Sequence, residues 1–448
     1  MFKKVTQSIV KQMDPGGDLV PVHSILDHEH FQPLCLLRRK RKAKFQPFPR
    51  YRQTWYRLED LLLPGRDDKG TGSHLPTGST GPRQFTVQKS SSDRVDGSLN
   101  LCLDSASVEL KGAASSSQGW AIKLQKNHIP VPQLDALMAE RKVNVNHSFV
   151  QQLQRTRQDL YVVHETIETS EEATYEESTE AEGSFMAQLY AKFCAKGTRE
   201  SKQSITIPKG CTLAFRAIQL ATAGGRWDLK YFPRAAAGHM FLSDGLSEGE
   251  LGALQSEVKE NCQILSELSS DQRAVFLKAI KAVMTDRNLF QELAHKMDAV
   301  LNEDGGCELT TESPDLKALL SSLQNSSGPL LKLARAVAYT LDALDELTED
   351  QLLLLLESLE EKVVPQQLKL VASILEQDVE GKECWSLATS LLSLQPEEER
   401  ELTVAMVQRS RVTLQKDGAA VCTEEASLAT AALYVSLYAL DLLSNSDQ

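Results

Sequence analysis

The spacing of apolar residues passes from mostly strand-like to helical near residue 240, and the change restricts what the chain can fold into. Before it, SLNLCLDSASVEL (98–110) alternates Leu99, Leu101 and Leu103 with polar residues, and WAIKLQ (120–125) puts Ile122 and Leu124 on one face. LYVVHETIET (160–169) and SITIPKGCTLAFRAIQL (204–220) are rich in β-branched and aromatic residues. After it, 246–268, 269–284, 328–347, 348–363 and 424–444 carry helical spacing, and Ser247/Glu250, Ser269/Gln272 and Thr348/Gln351 form capping-box pairs at three starts. The last of these helices is apolar enough to be the centre of a bundle. A period of about 2 and a period of about 3.6 build different layers. The prediction is an α+β N-terminal domain over residues 1–234, a twisted antiparallel sheet with helices, and an all-α helical bundle over 246–448. The stretch 235–245, within YFPRAAAGHMFLSDGLS (231–247), is small, polar and Pro/Gly-containing, and reads as an exposed linker.

Residues 2–13 read as a short helix with Phe2, Val5, Ile9 and Met13 on one face and Lys4 and Lys11 opposite; Asp14-Pro15-Gly16-Gly17 stops it. Residues 66–97 are Gly/Ser/Thr-rich and read as a mobile loop. Residues 168–202 open with an acid-rich run, read as a solvated strand or loop, and then turn to FMAQLYAKFC.

Charge follows the same division. Residues 1–240 hold 33 Lys/Arg against 25 Asp/Glu, and the remainder holds 16 against 36, so halves of +8 and −20 make up the net −12. An acidic half tethered to a basic one suggests masking in cis. The longest aliphatic run, Leu352–Leu356, is far short of the roughly 20 residues that a membrane helix needs, and Met1-Phe2-Lys3-Lys4 is not followed by a signal-peptide core. Eight cysteines are scattered without a CxxC pair, as expected of reduced cytosolic thiols.

No GxSxG, HExxH, Walker loop or GxGxxG is present, and His23, His28 and His30 lack the partners that would complete a zinc site. No enzyme activity, cofactor or metal is expected. The positive signal is CLLRRKRKAKFQPFPRYRQ (35–53): Arg38, Arg39, Lys40, Arg41, Lys42 and Lys44, followed by Arg50 and Arg52, with Phe45 and Phe48 beside Pro47 and Pro49. Such a cluster faces phosphate, on nucleic acid or on lipid head groups. No recognised nucleic-acid module accompanies it. A lipid surface needs cations for the head groups and an apolar tip for the acyl boundary, and Phe45 and Phe48 supply the tip as membrane anchors. Lys3, Lys4 and Lys11 on the first helix repeat the design. The segments 84–125 and 160–207 each have room for two strands of a transmembrane hairpin. The alternative in another class is a cytosolic scaffold whose basic domain binds nucleic acid.

GGDLVPVHSI (16–25), FQPLCLLRRKRK (31–42), LYVVHETIET (160–169), TIPKGCTLAFRAIQL (206–220) and ALYVSLYALDLLS (432–444) resemble the gasdermin family, its A branch in the first half and its D branch in the linker. The resemblance implies a pore-forming domain held inactive by a helical domain and freed by cleavage between them. The freed domain would bind acidic phospholipids (phosphoinositides, phosphatidylserine, cardiolipin), form a homo-oligomer and insert as a β-barrel, causing lytic cell death. The uncut chain would be cytoplasmic and the cut domain at the plasma membrane, with no nucleic acid involved. It also implies S-palmitoylation of Cys194. Leu189, Tyr190 and Phe193 have no obvious place in a small sheet core and are expected to dock on the helical domain. FLSDG (241–245) resembles the family's cleavage sequence, so an inflammatory caspase such as caspase-1 is expected to cut between Asp244 and Gly245. Such a protease pairs the Asp244 carboxylate with a buried arginine and takes Phe241 in a hydrophobic subsite, with Leu242 and Ser243 between. Asp228 is a poorer candidate because the bulky Leu229 follows it.

Overall fold

The computed structural model describes residues 2–15, 17–40, 42–64, 83–89, 99–103, 120–156, 159–178, 184–193, 202–223, 226–230, 248–302, 309–325, 329–379, 385–386, 396–410, 412–414, 419–422 and 426–444. The chain divides into two compact units. One comprises Met1–Lys42, Phe48–Thr179 and Glu200–Leu242; the other comprises Ala43–Pro47, Glu180–Arg199 and Ser243–Gln448.

The first unit is built on an antiparallel sheet whose two longest strands, β7 (Leu160–Thr169) and β10 (Thr212–Ala223), lie side by side. Both fork. β10 pairs on its other edge with β1 (Val20–Pro21) and, further along, with β11 (Arg226–Lys230). β7 pairs with β6 (Trp120–His128) through its second half and with β2 (Cys35–Arg39) through its first. β4 (Arg83–Lys89) and β5 (Leu99–Leu103) extend the sheet beyond β6, and β3 (Tyr51–Arg57) extends it beyond β2. The stretch 66–97, expected as a loop, therefore contains a paired strand. A separate ribbon joins β8 (Ala173–Ser178) to β9 (Lys202–Ile207).

Strand alternation supplies a core on each face of the sheet. Leu37, Tyr161, Val163, Ile167, Leu213 and Phe215 face one side, with Val5 and Ile9 of α1 (Phe2–Met13). Leu36, Leu160, Val162 and Leu220 face the other, with Leu134 of α2 (Val131–Glu140) and Val150 of α3 (Ser148–Thr156). Beyond the end of α1, Asp14 Oδ2 accepts from Arg216 Nη2 at 2.6 Å, and Arg216 Nη1 reaches Glu165 at 2.7 Å. Lys126 pairs with the other oxygen of Glu165 at 2.7 Å, so the buried carboxylate is shared by two cations.

The second unit is mostly helical. Its helices among the described residues are α4 (Ser184–Phe193), α5 (Glu248–Cys262), α6 (Ser270–Thr285), α7 (Arg287–Asn302), α8 (Pro314–Asn325), α9 (Leu330–Glu346), α10 (Glu349–Glu360), α11 (Val364–Val379), α12 (Glu397–Arg409) and α13 (Ala426–Ser444). The boxes at Ser269/Gln272 and Thr348/Gln351 close reciprocally, as the sequence pattern requires. α13 is long and apolar enough to cross a membrane, but it is mostly buried, packed against α6, α9 and α11 as the bundle's central helix. The helical domain expected from the sequence is thus present, and it carries in addition three short strands, β12 (Trp385–Ser386), β13 (Val412–Leu414) and β14 (Ala419–Cys422), which pair antiparallel. They are too short for an alternation signal to stand out from neighbouring helices.

Candidate functional site

The basic cluster lies on the hairpin of β2 and β3. Register sets Arg38 opposite Arg52 and Arg39 opposite Tyr51, and the Lys40 N–H donates to the Arg50 carbonyl at 2.9 Å. Like charges directly opposite one another repel, a cost that an anion between them would remove. Burial lowers the Arg38 pKa and the Arg52 charge lowers it further, yet a guanidinium keeps its proton at neutral pH. Arg39, Lys42 and Lys44 are exposed, and Arg50 is half-buried; Arg41 lies outside the described residues. Lys4 is exposed on α1, with Lys3 and Lys11 half-buried beside it, while Phe2, Val5 and Ile9 face the sheet.

The phenylalanines are not where an exposed tip would put them. Phe45 is 0% exposed and belongs to the core of the second unit, edge-on to Tyr339 with ring centroids 5.4 Å apart. Phe48 is buried in the core of the first unit. Both rings are thus buried in the uncut chain. Hiding each ring from water is worth about 2–3 kcal/mol. A turn held by the Ala43 N–H donating to Gln46 Oε1 at 3.1 Å separates the two rings. The Lys44 N–H donates to Glu257 Oε1 at 3.1 Å, and the Tyr339 hydroxyl donates to the same oxygen at 3.0 Å. Burial pushes the Tyr339 pKa up, and the Glu257 carboxylate adds to it, so the phenol stays protonated as a donor.

FMAQLYAKF falls in α4 (Ser184–Phe193), inside the second unit. Leu189 is 3% exposed, with Met186 beside it in the core, and Phe185, Tyr190 and Phe193 pack partly buried around them. The Tyr190 hydroxyl donates to Asp350 Oδ1 at 2.7 Å, and Arg409 holds the other oxygen of Asp350 at 3.1 Å. Lys192 Nζ bridges Glu357 at 2.6 Å and Glu360 at 2.7 Å, and these hydrogen bonds raise its pKa. The lysine is 42% exposed, so solvent screens both pairs. Lys192→Ala is therefore expected to cost no more than about 1 kcal/mol in chemical denaturation.

Sequence reasoning named Leu189, Tyr190 and Phe193 but missed the residues that Tyr190, Lys192, Lys44 and Phe45 meet. Glu257, Tyr339, Asp350 and Glu357 sit on helices where nothing in their own neighbourhood distinguishes them from other helical residues. Phe241, Leu242, Ser243, Asp244, Gly245 and Cys194 lie outside the described residues. No group of three or more His, Cys, Asp or Glu among the described residues is placed to hold a metal ion.

Residues 1–238 match the family model described as the Gasdermin pore forming domain, and residues 250–421 match the Gasdermin PUB domain. The chain belongs to the gasdermin family. This gasdermin is similar to Gasdermin-A of Mus musculus, 32% identical over 467 aligned positions covering 100% of this chain and 99% of the relative. It is 30% identical to mouse Gasdermin-D over 99% of this chain and 98% of the relative. A solved chain described as the cryo-EM structure of the Gasdermin A3 membrane pore is 26% identical, covers 52% of this gasdermin and 96% of itself, and superposes with a TM-score of 0.33. By its two domain matches and its own fold, this chain is a gasdermin with a pore-forming domain in its first half, carried on an antiparallel sheet, and a mostly helical second half.

Proposed function

We propose that this gasdermin is an autoinhibited pore-former released by cleavage between its halves. The observation that carries the reading is the composition of the second unit: it includes Ala43–Pro47 and α4, which belong to the 1–238 stretch matched by the pore-forming model. Packing Phe45 and Leu189 among bundle residues removes from the first half two apolar elements that lipid contact would use. Cutting the linker ends the tether's high effective concentration, so the helical half can dissociate.

The freed domain presents the lipid-binding set, Arg38 to Lys44 with Arg50 and Arg52 and the Lys3, Lys4 and Lys11 face of α1, to acidic phospholipids. Phe45 then becomes available as a membrane anchor. Acylation of Cys194, next to α4, would add about 0.8 kcal/mol per buried methylene. Segments 84–125 and 160–207 re-form as two hairpins that span the bilayer, with α4 unwinding into the second. Two hairpins leave open edges that lipid cannot satisfy, so several copies must close a barrel. The outcome is membrane permeabilisation and lytic cell death, with the uncut chain held in the cytoplasm.

The cut is assigned to Asp244–Gly245, with Phe241, Leu242 and Ser243 as the recognition residues of an inflammatory caspase. Full-length protein treated with caspase-1 is expected to give fragments ending at Asp244 and starting at Gly245 by mass, and to release dye from anionic vesicles. Asp244→Ala is expected to abolish both. A variant that is still cut and still releases dye would defeat the assignment of the site; a cut chain that releases no dye would defeat the pore-forming reading itself.

A further inference from the structure

Trp55 occupies a conformation that a bulky residue avoids. Its φ is +66°, in the left-handed region, and its ring is 72% exposed. A bulge in the β2–β3 pairing produces this geometry. Cys35 pairs with Arg57 and Leu37 with Gln53, so Leu36 faces the three residues Thr54, Trp55 and Tyr56. The Thr54 hydroxyl donates to the Leu36 carbonyl at 2.7 Å and accepts from the Tyr56 N–H at 3.3 Å, which fixes the bulge and throws Trp55 outward at its crest. The His30 ring packs edge-on to the indole with centroids 4.3 Å apart. His30 belongs to the 3₁₀ turn Ile25–Phe31, which also carries Leu26, 76% exposed. Leu26 and Trp55 are the two most exposed large apolar side chains among the described residues. Strain and exposure together, with no core to account for them, mark a contact surface.

Charge decides the occupant. From His30 to Leu58 the chain holds nine Lys/Arg and no Asp or Glu, so the indole stands on the outer strand of an uninterrupted basic hairpin. Asp27 and Glu29 on the 3₁₀ turn, and Glu59 and Asp60 just past β3, where Asp60 accepts from the Arg57 N–H, reduce the field there, so the attraction comes from the rest of the hairpin. An indole is apolar over its faces, carries one N–H donor, and settles where hydrocarbon meets polar head groups.

We propose that Trp55, buttressed by His30 and joined by Leu26, is an interfacial lipid-contact site that anchors the basic hairpin on an anionic bilayer. The inference rests on the lipid-binding reading above and adds to it an apolar contact that does not depend on Phe45 or Phe48. Because the contact is apolar, its contribution survives added salt, whereas that of the surrounding cations is screened.

The test uses the full chain, with the linker opened by protease in the presence of vesicles of phosphatidylcholine with phosphatidylserine, and sedimentation as the readout. Trp55→Asn keeps a residue that tolerates positive φ, so it is expected to raise the melting temperature while weakening vesicle partitioning roughly tenfold, at low and high salt alike. Leu26→Ala is expected to weaken partitioning about threefold, and quenching of tryptophan emission by brominated lipid is expected to drop in Trp55→Asn. If wild type itself fails to sediment, the lipid-binding reading falls and this site with it. If wild type sediments and Trp55→Asn matches it in partitioning and quenching, this site alone is overturned. If Trp55→Asn binds vesicles normally but forms fewer cross-linked oligomers, the β3 edge receives a second copy and the lipid assignment is wrong.

Discussion

Leu189→Asp is expected to make the uncut chain permeabilise vesicles without any protease. The side chain is 3% exposed among Met186 and the bundle residues of its core. Losing its packing costs about 2–5 kcal/mol, and an ionised carboxylate in the same place costs several more. Since about 1.4 kcal/mol is tenfold, the population with α4 detached should rise at least about a hundredfold. Tyr190→Asp should act in the same direction, because it removes the hydroxyl that donates to Asp350 and sets a second carboxylate beside it. Tyr190→Phe loses only that hydrogen bond, about 1 kcal/mol, and should remain close to wild type. The measurement is dye release from anionic vesicles by intact full-length protein, with circular dichroism to confirm that each variant is folded. A folded Leu189→Asp chain that stays silent would show that α4 packing is not the restraint. Together with Lys192→Ala, the series separates apolar burial from the exposed ion pairs of the same helix.

Charge reversal at Arg38, Arg39, Arg41 and Lys42 is expected to abolish lipid binding of the cleaved chain. Each cation near an anionic surface contributes about 1 kcal/mol, so removing four costs about a thousandfold in partitioning, and the added glutamates repel the same surface. Reversing Lys4 and Lys11 as well should deepen the loss. Raising salt should weaken wild-type binding steeply and the variant hardly at all, because the Debye length is only about 8 Å at physiological ionic strength. Sedimentation of the cleaved quadruple variant with phosphatidylserine vesicles at wild-type levels would remove the cluster from the site.

The strands at 99–103, 120–128 and 160–169 and the helices that follow Ser269 and Thr348 were legible because their signals are local. Alternation, helical spacing and a capping box are complete within a dozen residues, and backbone hydrogen bonding leaves few other ways to satisfy such a pattern. The basic hairpin was legible for the same reason, since a run of cations with no nearby acid has to face solvent or an anion. Residues 168–202 carry weaker local signals. FMAQLYAKF became a helix because its apolar residues found a bundle to bury against, and tertiary packing overrides a weak local preference.

Phe45, α4 and Trp55 were decided by the tertiary structure alone. Tyr190 meets Asp350 across 160 positions and Lys192 meets Glu357 across 165, separations over which no spacing rule operates. Phe45 beside Pro47 looks like an exposed tip until the bundle supplies Tyr339 to cover it. Trp55 shows the converse. A tryptophan in a strand predicts a packed ring, and only the bulge opposite Leu36 turns it outward. Sequence determines which segments can pair or coil, because those choices are settled by near neighbours. Which apolar side chains end in water, in a core or in reserve depends on surfaces that exist only once the chain has folded.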